Sequence, residues 1–85
     1  MKNAATGEIT IYEMKAGQVQ SIFIYQLRMY WDGLALAGEQ PTLGLLVAEE
    51  YQDVHQSMVS RINELLDPSG KPYKLELKRL SDFNL

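Results

Sequence analysis

The chain is 85 residues long, carries eight lysines and arginines against eleven acids for a net charge of −3, and has no cysteine. That length fits one domain spanning 1–85 with only roughly 60–65% of its unfolded surface to bury, and the missing thiols exclude disulfides, zinc–thiolate sites and cysteine nucleophiles. A content of 46% hydrophobic and 22% charged residues excludes bulk disorder, and the mild acidity argues against general attraction to nucleic acid while leaving room for a local basic patch.

Residues 8–14, Glu-Ile-Thr-Ile-Tyr-Glu-Met, are rich in β-branched and aromatic types and stand between Gly7 and Ala16-Gly17; they predict a short buried strand. Ile9, Ile11, Glu13 and Lys15 share one of its faces, and Thr10, Tyr12 and Met14 the other. Residues 18–36 fit two periods. Phe23, Tyr25, Leu27, Met29 and Trp31 alternate as a strand would, whereas Val19, Ile22, Phe23, Gln26, Leu27, Tyr30 and Leu34 fall on one helical face. Length selects the helix, with Gly38 as its stop. After Pro41, the apolar run 42–48 predicts a strand covered on both faces, as in a parallel sheet. Tyr51, Val54, Met58, Ile62 and Leu65 recur at helical spacing and predict an amphipathic helix over 52–66, with Asp53 in its first turn. Asp67-Pro-Ser-Gly70 is turn chemistry. In 73–79, apolar Tyr73, Leu75 and Leu77 alternate with Lys74, Glu76 and Lys78, predicting an edge strand with one wet face.

Strand, helix, strand, helix, strand with right-handed crossovers defines an α/β fold: a small three-layer-like β-α-β-α-β unit around a mostly parallel three-stranded sheet. No stretch nears about 18 uninterrupted apolar residues and no signal core precedes the first strand, so the expectation is a cytoplasmic protein with no membrane contact.

Much chemistry is absent from the sequence. His55 is the only histidine, which excludes a multi-histidine metal site, and its place within the second helix reads as an ordinary helix residue. Ser57 and Ser60 sit on no nucleophile elbow, and the glycines form no phosphate-cradling loop. What remains is Glu13-Met14-Lys15, whose carboxylate and ammonium project from one face of the first strand. A carboxylate is a hard ligand suited to Mg²⁺, and a lysine beside it can stabilise a phosphate oxyanion. The second such triplet, Glu76-Leu77-Lys78, reads as solvated edge. On the following helix Gln26 and Tyr30 stand four apart on one face.

This strand and helix, with Gln26-Leu-Arg-Met-Tyr30 after Glu13-Met14-Lys15, resemble the PD-(D/E)xK nuclease superfamily, nearest the RecB-like branch with its QxxxY element. The resemblance runs by motif over about residues 8–48, the second half of such a core, and implies a restriction-endonuclease-like partial fold. It further implies metal-dependent phosphodiester hydrolysis of DNA. Glu13 and the Met14 carbonyl would be ligands for Mg²⁺ or Mn²⁺, Lys15 the catalytic lysine, and Gln26 and Tyr30 supports of the site. Lys71, Lys74, Lys78 and Arg79 form the one basic segment that offers phosphate contacts; a charged edge strand is the other reading of it.

The family's aspartate lies on a strand upstream of the (D/E)xK strand, and no acid occurs within residues 1–7 here. Two readings stay open: a nuclease completed by a partner or a second copy, and a non-catalytic remnant acting as a homodimeric interaction module. Both predict a homodimer, because the first strand has an edge that the chain does not cover.

Overall fold

The computed structural model describes residues 8–83. Strand β1 (Ile9–Gln18) leads through helix α1 (Ser21–Leu36) to strand β2 (Pro41–Glu50), then through helix α2 (Asp53–Ile62) to strand β3 (Leu75–Arg79) and a final 3₁₀ turn, Leu80–Phe83. The sheet order is β1-β2-β3, and both pairings are parallel. This is the β-α-β-α-β unit expected from the sequence, with β2 in the centre.

Register fixes what lies opposite what. One face of the sheet carries the rows Ile11–Gly44–Leu75, Glu13–Leu46–Leu77 and Lys15–Ala48–Arg79; the other carries Tyr12–Leu45–Glu76 and Met14–Val47–Lys78. The first face meets both helices. Ile24, Leu27, Trp31 and Ala35 of α1 join Val59 and Ile62 of α2, and Ile11, Leu46, Ala48, Leu75 and Leu77 of the sheet, in one buried cluster. Burial of side chains such as Ile24, Leu27 and Leu46 stabilises the fold by about 1.5–3 kcal/mol each. Gly44 is required by this packing: a Cβ there would stand 2.6 Å from Leu75 Cδ2 and 3.5 Å from Leu27 Cγ.

Several details differ from the sequence reading. β1 continues past Met14 to Gln18, because Ala16-Gly17 is a bulge within the strand and not its end. Lys15 pairs with Ala48 and Gln18 with Glu50, so three steps oppose two, and Gly17 takes the positive φ of 79° that such a bulge favours. The strand is buried on its helix side only, since Tyr12 and Met14 are 56% and 64% exposed. The buried stripe of α1 is rotated from the expected one. Ile22 and Tyr30 are exposed, while Ile24, Trp31 and Ala35 face the core. A helix with apolar residues all round gives a period without a phase.

Helix α2 is shorter than expected and also rotated: His55, Val59 and Ile62 are its buried residues, whereas Val54 is 56% exposed and Leu65 46%. His55 holds the helix start, its Nδ1 accepting the Gln52 N–H at 3.2 Å. The helix stops at Ile62 because Asn63, next in line, is committed to β3. Its side chain donates to the Leu75 carbonyl at 3.0 Å and accepts the Leu75 N–H at 2.8 Å. Gly38, by contrast, ends α1 as expected, with φ 85° and the Glu39 N–H returning to the Leu34 carbonyl at 3.0 Å.

Candidate functional site

The carboxyl end of a parallel sheet is where open α/β folds usually hold ligands, and Glu13 and Lys15 lie toward that end of the edge strand β1. Their period-two spacing sends both side chains to the helix side, where Lys15 Nζ is 2.9 Å from Glu13 Oε1 with side chains 29% and 21% exposed respectively. The ammonium also sits over the Phe23 ring, 4.9 Å from its centroid. The bulge at Ala16-Gly17 follows at once, and pairing with β2 resumes beyond it at Gln18–Glu50. The result is a half-open corner with one carboxylate, one ammonium and an aromatic wall.

Phe23 lies on the flank of α1 nearest β1, and Gln26 and Tyr30 follow it at i+3 and i+7, so they extend the same flank. Gln26 is half-buried and Tyr30 is 51% exposed. Neither forms a hydrogen bond with Glu13 or Lys15 among the described residues. The structure therefore brings together the strand pair, and sets the helix pair on the neighbouring flank of α1 with no hydrogen bond to it.

Across the sheet, the other end of the Lys15–Ala48–Arg79 row is occupied. Arg79 Nε donates to Glu50 Oε1, Nη2 donates to the Tyr51 carbonyl at 3.3 Å, and the guanidinium covers the Tyr51 ring at 4.0 Å. The hydrogen bond from Arg79 holds the Glu50 carboxyl below its usual value. Arg79 is thus committed to joining β3 to the end of β2. Lys78 points to the opposite face of the sheet beside Val47. Lys71 donates to the Gln40 side chain, and Lys74 is exposed at the far end of β3. The four basic residues of the segment are distributed over two faces and both ends of the strand.

A resident Mg²⁺ needs several oxygen donors in near-octahedral geometry, commonly with one or two carboxylates. Among the described residues no group of three or more His, Cys, Asp or Glu side chains is placed to hold a metal ion, and the Glu13 carboxylate is already paired with Lys15. Glu13 is thus the carboxylate at this corner, and no cluster of acidic side chains surrounds it among the described residues.

Sequence reasoning missed a second polar centre. Asp67, expected as a turn residue, is only 7% exposed. Its Oδ2 accepts the Trp31 Nε1–H at 2.8 Å, and its Oδ1 accepts the Ser69 N–H at 2.8 Å, the Ser69 hydroxyl at 2.7 Å and the Lys71 N–H at 3.1 Å. Burial alone would raise this carboxyl; the hydrogen bonds from Trp31, Ser69 and Lys71 outweigh it and hold it at about 2. Next to it, the Tyr73 hydroxyl donates to Asp32 and accepts from Arg28 Nε at 3.3 Å, while burial and the Asp32 hydrogen bond push the Tyr73 pKa up.

The parallel β-α-β-α-β core is consistent with a restriction-endonuclease-like topology in general, and points to no particular branch of those nucleases. No protein-family model, curated protein or solved structure matches this chain. Among the described residues no helix is long and apolar enough to cross a membrane.

Proposed function

We propose that this chain is a nuclease-like half-core whose Glu13–Lys15 corner handles a DNA phosphodiester when a second copy, paired along β1, supplies the acidic donors it lacks. The observation that carries this reading is the pair itself, held at 2.9 Å near the carboxyl end of an edge strand. In that reading the Lys15 ammonium, braced by Phe23, offers its remaining N–H donors to a phosphate oxyanion. Glu13 orients the ammonium and presents its second oxygen as an acceptor. Beyond β1 no strand pairs among the described residues, and an open edge of this kind favours pairing with another chain. Gln26 and Tyr30 line the same side and would face the incoming copy or the DNA.

The test is cleavage of single-stranded, duplex and branched DNA with Mg²⁺ or Mn²⁺, run alongside light scattering. The expected results are metal-dependent cleavage, loss of about 100-fold or more in Glu13→Gln or Lys15→Ala, and twice the 9.7 kDa chain mass. A folded monomer without cleavage would sink the proposal. The second reading, a non-catalytic homodimeric interaction module, is favoured by the apolar outer face of α1, where Ile22, Tyr25, Met29 and Leu36 are 54%, 51%, 69% and 76% exposed. A dimer that cleaves nothing is its expected outcome.

A further inference from the structure

The groove between α1 and α2 lies apart from the Glu13–Lys15 corner, and its floor is the edge of the core at Ile62 and Met58. It holds about 270 Å³ and is lined by Tyr25, Arg28, Met58, Arg61 and Ile62. Ile62 is buried and Met58 half-buried, while Tyr25 is exposed along one side. Both charged residues of the lining are arginines. Arg28 is partly engaged: its Nε lies 3.3 Å from the Tyr73 hydroxyl and 4.0 Å from Asp32 Oδ2, and its guanidinium covers the Tyr73 ring at 5.1 Å. Arg61, exposed in the last turn of α2, has no hydrogen bond or ion pair with any described residue. It is an uncompensated cation beside an apolar cleft, on a chain whose net charge is −3.

Size and composition narrow the occupant. The volume lies at the small end of the roughly 300–1,000 Å³ typical of small-molecule sites, and suits one or two inserted side chains. Tyrosine, methionine and arginine are the types enriched where proteins meet proteins. The apolar surface does not stop at the groove, since Tyr25 continues into exposed Ile22 and Met29 on the same helix. Two arginines, one of them already engaged with Tyr73 and Asp32, offer this groove too few contacts for a run of phosphates, whereas a single carboxylate is met by Arg61 alone.

We propose that this groove docks an acidic, leucine-bearing segment of a partner protein, with an apolar side chain between Tyr25, Met58 and Ile62 and a carboxylate on Arg61. This site is independent of whether the β1 corner is catalytic. It is tested by titrating the full chain with a fluorescein-labelled amphipathic peptide of Glu, Ala and Leu, following anisotropy and amide shifts. A twin peptide with Lys in place of Glu, and a short DNA duplex, serve as comparison probes. Saturable binding of the acidic peptide is expected, with shifts centred on Tyr25, Arg28, Met58, Arg61 and Ile62. Arg61→Glu, an exposed change that leaves the core untouched, should weaken it about tenfold or more, and Tyr25→Ala should weaken it independently. The proposal is overturned by absence of saturable binding, by equal binding in Arg61→Glu or of the Lys twin, or by DNA shifting the same residues.

Discussion

Two carboxylates in this chain have opposite surroundings. Asp67 lies buried behind Trp31 and receives four hydrogen bonds from three residues. Glu13 sits on an edge strand with a single lysine partner and part of its surface in water. Both oxygens of Asp67 accept hydrogen bonds, so it serves the fold by fixing the 67–71 turn to α1. Glu13 keeps acceptor capacity on a part-exposed side chain, which a binding or catalytic group requires. Satisfaction of hydrogen-bonding capacity, more than residue type, separates the structural acid from the candidate functional one.

The contrast is broken most forcefully at Asp67. Asp67→Ala leaves the buried Trp31 N–H and two backbone N–H groups without their acceptor, and should cost about 2–4 kcal/mol. Trp31 is the only tryptophan and fully buried, so its fluorescence during urea unfolding measures the loss directly. The same carboxyl sets a pH signature. Held at about 2 when folded against 3.8 when free, it contributes stability that is complete above about pH 4 and disappears as pH falls through 2. The wild-type urea midpoint should therefore stay level from neutral pH to about 5 and drop below 4. Asp67→Asn should start lower and fall less; an unchanged acid limb in that variant would show that other groups carry it.

A smaller effect is expected in the middle of the sheet. Gly44→Ala drives a Cβ toward Leu75, which the core holds at 1% exposure, and overpacking of this kind costs about 1–3 kcal/mol. Smallest of all should be Lys15→Ala. A part-exposed ion pair contributes no more than about 1 kcal/mol, so the urea midpoint should barely move. If the Glu13–Lys15 pair works on DNA, the same variant should still lose its cleavage, and that separation of stability from activity sharpens the comparison further.

How much of this was legible depends on which distances decide each feature. The strand and helix types and their order follow from local pattern, with length deciding α1 where the period was ambiguous, and the stop at Gly38 from the glycine itself; all were readable. So was the shared face of Glu13 and Lys15, because a strand's period of two guarantees it. The phase of α1 was not, since Ile22, Tyr25, Met29 and Tyr30 make its exposed side as apolar as its buried side. His55 was read as an ordinary helix residue because its role depends on meeting the Gln52 N–H. Asp67 looked like turn punctuation because its decisive partner, Trp31, is 36 residues away. The commitment of Arg79 to Glu50 likewise required the β2–β3 register, which no local pattern carries.

The place of β2 in the sheet has a consequence for how the chain acquires its structure. β1-α1-β2 and β2-α2-β3 are two crossover units that use the same central strand, so neither can be completed while β2 is out of place. A parallel pair closes only through a long connection, whose loop entropy must be met before any ladder forms. Two such closures sharing one strand tie their formation together, and the chain should unfold as a single cooperative unit. Native-state hydrogen exchange should then find the slowest amides at Leu45, Leu46 and Val47, in the strand that has a neighbour on each side, with opening energies close to the global value. The edge strands should open earlier, β1 ahead of the centre, leaving the Glu13–Lys15 corner on the part of the sheet that can rearrange without unfolding the rest.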